Sequence, residues 1–215
     1  MDCLEGMKEF PDKYFELAIV DPPYGIKISK MNFVISGAKL IGTAKRNDYR
    51  GQGLWDDSPP SKEYFNELFR VSKNQIIWGG NYFTNNLNPT KSWIIWDKRV
   101  QEKYSNDFAD CELAWCSSGV ARVFRYLYSG MLQKDMKNKE KRTHPTQKPV
   151  PLYKWLLTNY AHKGDKILDT HVGSASSLIA CYEMGFDYIG FEIDKDYFDK
   201  SQERLNAVKA QVRMF

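Results

Sequence analysis

The sequence predicts an α/β fold built on a doubly wound, mostly parallel sheet. Three observations carry this expectation. A chain of 215 residues with 42% hydrophobic side chains fits one domain, with room for an inserted lobe, and can bury a core. Short apolar runs such as Leu17-Ala18-Ile19-Val20 and Gln75-Ile76-Ile77-Trp78 stop abruptly at proline or glycine, as strands covered on both faces do. From Lys166 onward the pattern reads strand, turn, helix, strand, helix, the unit from which parallel sheets are wound.

In chain order, Glu16 to Val20 is the first strand, ended by Pro22-Pro23, which remove backbone donors and fix φ. Residues 26–60 carry glycines and lysines with weak periodicity, the mark of a long functional insertion. Ser61 is placed to cap a helix with Glu63 in its first turn and Tyr64, Phe65, Leu68 and Phe69 as its apolar positions. Gln75 to Trp78 is a second strand, closed by Gly79-Gly80-Asn81. Ser92 to Trp96, Glu112 to Cys116 and Arg122 to Tyr128 read as further strands, with Trp93, Trp96 and Trp115 as core residues. A linker from Lys134 to Lys148 leads into a helix over Pro151 to Tyr160. Lys166 to Asp169 is a strand, Ser174 to Met184 a helix and Asp187 to Glu192 a strand. Asp194 then caps a last helix with apolar positions at Tyr197, Phe198, Leu205, Val208 and Val212.

Charge and cysteine content narrow the chemistry. The formal net charge of +4 is mild, but its distribution is uneven. Lys27, Lys30, Lys39, Lys45, Arg46 and Arg50 face only Asp48 in their stretch, and a second basic stretch runs from Lys134 to Lys148. Both read as loops suited to phosphate contacts. Cys3, Cys111, Cys116 and Cys181 form no C-x-x-C pair and the histidines are scattered, so neither a structural metal nor a disulfide framework is expected. No apolar run approaches the ~18 residues of a membrane helix, and Met1-Asp2-Cys3-Leu4-Glu5 does not open a signal peptide; a soluble, cytoplasmic protein is expected.

Two constellations carry the functional signal. Asp21-Pro22-Pro23-Tyr24 places a carboxylate, rigidly held carbonyls and an aromatic ring at the C-terminal end of a strand, where open α/β sheets bind ligands. Acceptors alone suit a substrate that presents an NH2 group, and a ring suits stacking on a planar base. The second lies at Asp169-Thr170-His171-Val172-Gly173-Ser174-Ala175, a small-residue turn from strand to helix that lets a ligand meet backbone N–H groups. Glu192, at the end of the next strand, is placed to accept hydrogen bonds from the hydroxyls of a ribose. One glycine in place of the three in G-x-G-x-x-G fits a pyrophosphate poorly. A nucleoside cofactor without phosphates fits better, and S-adenosylmethionine, whose sulfonium methyl is an electrophile, is the natural candidate.

With these residues in view, the sequence resembles the amino-methyltransferases of DNA, which methylate adenine N6 or cytosine N4. Asp21-Pro22-Pro23-Tyr24 matches their D/N/S-P-P-Y/F/W motif, and Asp169 to Ser177 resembles their cofactor motif D-P-F-x-G-S-G-T-T. His144-Pro145-Thr146-Gln147-Lys148-Pro149 resembles the H-P-T-Q-K-P segment that precedes it. The catalytic half comes first and the cofactor half last, the beta-class order. Thr170-His171 stands where the family has Pro-Phe, and Ala175 replaces its second glycine, which the backbone tolerates only at φ < 0.

The resemblance implies a single methyltransferase domain over residues 1–215, of Rossmann-like fold, with 26–60 and 98–148 as inserted target-recognition loops. It implies that Asp21, Pro22, Pro23 and Tyr24 are catalytic, with Asp21 and the Pro22 carbonyl accepting the hydrogens of the target amine and Tyr24 stacking on a flipped base. Cofactor binding falls to Asp21, Thr146, Lys148, Asp169, His171, Gly173, Ser174, Ala175 and Glu192. Among these, Thr146 and Lys148 would meet the cofactor's carboxylate end, and Asp169 with Gly173 would shape the methionine pocket. The implied partner is double-stranded DNA, methylated at adenine N6, with cytosine N4 as the alternative target; Asp at position 21, where Ser is the other choice, leans towards adenine. Ala175 and His171 raise a further alternative, a nucleic-acid-binding subunit with a degenerate cofactor site. A homodimer is one way for so compact a chain to cover enough duplex, and a cognate restriction endonuclease leaves no trace in this sequence. Trp78 to Asn81 either lines the base pocket or belongs to the core.

Overall fold

The computed structural model of the protein describes residues 1–26, 58–99, 109–129 and 132–212. Most of the expected insertion at 26–60, and residues 100–108, 130 and 131 of the second, lie outside the described residues. The strands are β1 (Phe15–Val20), β2 (Ser72–Trp78), β3 (Trp93–Asp97), β4 (Cys111–Cys116), β5 (Arg122–Arg125), β6 (Tyr128–Ser129), β7 (Leu132–Gln133), β8 (Lys166–Asp169) and β9 (Asp187–Gly190). The α-helices are α1 (Cys3–Lys8), α2 (Lys62–Val71), α3 (Val150–Tyr160), α4 (Ser176–Met184) and α5 (Lys195–Val212).

Seven strands form one sheet in the order β5-β3-β4-β2-β1-β8-β9. The pairs β1–β2, β1–β8, β8–β9 and β3–β5 are parallel, and β4 runs antiparallel to both β2 and β3. The sheet is thus Rossmann-like, with β4 as its reversed strand. Successive side chains point to opposite faces, and both faces are covered. Leu17, Ile19, Ile76 and Trp78 pack with Leu152, Leu156 and Ala180 of α3 and α4. Ala18, Val20 and Ile77 pack on the other side with Met7 of α1 and Tyr64, Phe65 and Leu68 of α2. That double burial is why these strands read as unbroken apolar runs.

Local chemistry sets the boundaries. Ser61 Oγ accepts the Tyr64 N–H at 3.3 Å to open α2, and Asp194 Oδ1 accepts the Tyr197 N–H at 3.0 Å to open α5. Asp2 caps the short helix α1, which the sequence did not predict because six residues are too few for periodicity to register. Arg122 to Tyr128 is not one strand. Its ladder with β3 ends at Arg125, and Tyr128 pairs instead with Gln133 in a separate two-stranded ribbon. On α5, Tyr197 and Leu205 are buried, but Phe198 is 45% exposed and so is not a core position; the side chain of Val212 is outside those described. Trp78, Trp96 and Trp115 are core residues, whereas Trp93 is partly buried. No helix among the described residues is long and apolar enough to cross a membrane.

Helix α4 begins at Ser176, two residues later than expected, because Ala175 adopts φ 62°, ψ 21°. This is the left-handed conformation that the alanine methyl disfavours, so the expected φ < 0 does not hold. Ala175 is fully buried among Val172, Leu178, Ile179 and Leu205. Relief of about 1–2 kcal/mol of left-handed strain opposes a loss of about 0.8 kcal/mol for one buried methyl. Ala175→Gly is therefore expected to stabilise the fold slightly, by under about 1 kcal/mol, raising the midpoint of urea unfolding with an unchanged slope. A lowered midpoint would mean that packing outweighs strain here.

Candidate active site

The sheet order places the two sequence constellations together. From β1 the chain crosses to β2, and from β8 it crosses to β9 on the opposite side, so the carboxyl ends of β1 and β8 flank the switch point of the sheet. Ligands bind in the crevice at such points. Asp21 follows β1 and Asp169 ends β8.

Asp21 sits between the end of β1 and the two prolines, where Pro22 is buried and Asp21 partly so. Asp21 Oδ1 accepts the Tyr24 hydroxyl at 2.8 Å, and Oδ2 accepts the Lys148 ammonium at 2.5 Å. Burial pushes the Asp21 carboxyl up, against the downward pull of Lys148. Burial would also lower Lys148, but Asp21 and Glu112 outweigh it and keep the ammonium charged. Tyr24 stacks on Tyr82, with centroids 5.0 Å apart and planes 18° apart, and meets Phe83 edge-on. Tyr82 stands at the mouth, 49% exposed.

In the other half, Asp169 is buried and accepts from the Ser177 hydroxyl and, at 3.0 Å, from the His171 N–H. Burial pushes its carboxyl up to about 7. Glu192 holds the turn by accepting the Gly173 N–H at 2.8 Å through Oε2 and the Asp194 N–H at 3.0 Å through Oε1. Each oxygen keeps a second lone pair for a ligand hydroxyl. Beside it Ile193 is 69% exposed, an apolar side chain next to the acceptor that the sequence reading did not single out. The Ser174 hydroxyl meets Ser176 at 3.1 Å, and Arg204 donates to the Ser174 carbonyl at 2.8 Å, leaving backbone as what this turn presents.

The segment His144–Pro149 bridges the halves. His144 packs 4.4 Å from the Tyr197 ring and lies over Gly173, while the Thr146 hydroxyl meets His144 Nδ1 at 3.1 Å. Burial lowers His144 to about 4, so the ring is neutral near pH 7. Four positions later the chain delivers Lys148 to Asp21. The ammonium that the sequence reading assigned to a cofactor carboxylate thus lies between Asp21 and Glu112. His171 is likewise engaged inward, with Nδ1 2.9 Å from the Thr170 hydroxyl, Nε2 4.0 Å from Cys3 Sγ and its ring edge-on to Tyr64. Among the described residues no group of three or more His, Cys, Asp or Glu is placed to hold a metal ion.

Comparison with known proteins agrees with the motif resemblance. A family described as DNA methylase, grouping N6 and N4 methyltransferases, matches residues 74–203. The chain belongs to this DNA methylase family. It is 25% identical over 254 residues to the type II methyltransferase M.HinfI of Haemophilus influenzae, a match covering 97% of this chain and 67% of that protein. Its fold is similar to that of the M1.HpyAVI–SAM complex, with TM-score 0.55 and 19% identity over 94% of this chain and 96% of that one. Its fold is also similar to that of the cytosine-N4-specific PvuII DNA methyltransferase, with TM-score 0.58 and 11% identity over 99% and 90% of the two chains. This methylase therefore has the family's architecture, with the Asp21 turn and the Asp169 turn at one switch point.

Proposed function

We propose that the protein transfers a methyl group from S-adenosylmethionine to N6 of an adenine flipped out of double-stranded DNA. The observation that carries this reading is the meeting of an all-acceptor turn, Asp21-Pro22, with a nucleoside-suited turn at Gly173 and Glu192. The donor set of the second turn fits the cofactor. Glu192 has acceptor capacity for two ribose hydroxyls, Ile193 offers an apolar surface to a planar base, and the opening of α4 supplies backbone N–H groups. When bound, S-adenosylmethionine supplies an electrophilic methyl that leaves sulfur as a neutral thioether.

The chain's own residues act on the amine. The lone pair of an adenine amine is delocalised into the ring, so the nitrogen is a poor nucleophile. Asp21 accepts one of its hydrogens and the Pro22 carbonyl the other, which turns the lone pair towards the methyl and favours a pyramidal nitrogen. The new N–C bond forms as the C–S bond breaks, and the excess proton on nitrogen leaves to Asp21 and then to solvent. Tyr24, fixed from Asp21 and stacked on Tyr82, offers the flipped base an aromatic contact beside the acceptors. Basic residues of 26–60 and 98–148 offset the cost of unstacking, a few kcal/mol, through phosphate contacts.

Asp at position 21 favours adenine as the target. Methyl-labelled S-adenosylmethionine incubated with unmethylated plasmid DNA, followed by nucleoside mass spectrometry, is expected to yield N6-methyladenine. N4-methylcytosine would move the assignment to the other base, and no product would favour a nucleic-acid-binding subunit.

A further inference from the structure

Lys148 is the buried hub of a partly buried ionic chain that the amine chemistry alone does not require. Its side chain is 2% exposed, and its ammonium lies 2.5 Å from Asp21 Oδ2 and 3.1 Å from Glu112 Oε2. The third contact is Tyr24 Oη at 3.2 Å. The ammonium thus donates to Asp21 and Tyr24 and forms an ion pair with Glu112 inside this cluster. Glu112, reached from β4, takes Lys98 at 3.1 Å through its other oxygen. Two carboxylates and two ammonium groups therefore alternate along the edge of the sheet at the carboxyl ends of β1 and β3 and the start of β4. Burying such a chain gains little stability over apolar side chains, so its place behind Asp21 calls for another reason.

We infer that Glu112 is a positioning residue for methyl transfer: by sharing Lys148, it leaves Asp21 fixed in direction but only partly neutralised towards the target amine. The inference rests on the proposed contact between Asp21 and that amine. If Lys148 served Asp21 alone, the carboxylate would pull less strongly on the amine hydrogen. If Lys148 were absent, two carboxylates would face each other and one would hold a proton. Glu112 balances the two.

The test is the acid limb of the pH profile of kcat/KM, in which Asp21 and Asp169 of the free enzyme both ionise and only the Asp21 component is expected to move. The groups facing Asp21 are Lys148 and Glu112, Tyr24 in its own turn, Tyr64 of α2, Tyr153 of α3 and Asp169 of β8. Only the first two change. The negative charge of Glu112 raises the Asp21 carboxyl and the positive charge of Lys148 lowers it. Glu112→Gln should therefore move the acid limb to lower pH, and Lys148→Met to higher pH, each by about one unit. S-adenosylmethionine affinity, measured by calorimetry, should stay near wild type in both. A cluster that only held the fold together would not produce opposite shifts.

Unmoved limbs, shifts of the same sign, or weakened cofactor binding by Lys148→Met with an unmoved limb would each overturn the inference. Should Lys148→Met fail to fold, the near-isosteric Glu112→Gln alone decides by the sign of its shift. An active Asp21→Asn would instead overturn the amine contact itself, so the two failures are distinguishable.

Discussion

Asp21→Asn is expected to lower the methyl-transfer kcat by about 10³-fold while S-adenosylmethionine binding stays close to that of the wild type. Asparagine keeps the shape of the side chain but removes the negative charge that faces the amine. It can also present its own NH2 to the substrate, replacing an acceptor with a donor. The loss should appear in kcat and kcat/KM together, because the contact strengthens as positive charge develops on the nitrogen. The turn at Gly173 and Glu192, proposed to hold the cofactor, is built from β8, β9 and α4, and its hydrogen bonds do not involve Asp21. A fold penalty is also expected. Lys148 and Lys98 would be left with Glu112 as their single carboxylate, so the penalty should stay below the about 3–5 kcal/mol of a buried charge left with no partner. Cofactor calorimetry and a thermal melt on the same preparation separate loss of chemistry from loss of fold. Transfer within about tenfold of wild type would remove Asp21 from the role proposed for it.

The sequence was most legible where local rules act. Pro22 stops β1, Ser61 and Asp194 cap their helices, and the apolar run over Lys166–Asp169 coincides with β8, because each of these boundaries depends on neighbours a few residues away. The meeting of Asp21 with the Asp169 turn was also readable, since it follows from strand order once parallel crossovers are assumed. What escaped was pairing across long separations. Lys148 reaches Asp21 over 127 positions, and no periodicity could direct its ammonium there rather than to a ligand. Glu112 passed as an ordinary strand residue. The signal was present all the same: it is the one charge in Cys111–Cys116, a strand between two others, where a carboxylate needs a buried partner. At Ala175 the sequence supplied the condition on φ but could not supply its sign, which is set by the way α4 leaves the turn.

Gly79→Ala is expected to reduce methyl transfer about 10²-fold with little change in cofactor binding, through a shift of Tyr24 rather than any lost functional group. Gly79 closes β2 at φ 69°, where its N–H bonds the Leu113 carbonyl at 2.8 Å and its carbonyl accepts from Tyr82 at 2.8 Å. A methyl group here would lie 2.2 Å from Cε1 of Tyr24 and 2.7 Å from Cζ. That ring cannot swing aside like the end of a lysine, because its hydroxyl bonds Asp21 and its face stacks on Tyr82. Moving it frees Asp21 Oδ1 from its donor and displaces the surface offered to the base. Left-handed strain and overpacking together should destabilise the fold by about 2–4 kcal/mol. Gly164 separates the two effects, since it has φ 92° and nothing within 4 Å of an added methyl. Gly164→Ala should therefore cost stability through backbone strain alone and leave transfer untouched. If Gly79→Ala lost no more activity than Gly164→Ala, the placement of Tyr24 would not govern transfer, and stacking on the target would have to come from another ring.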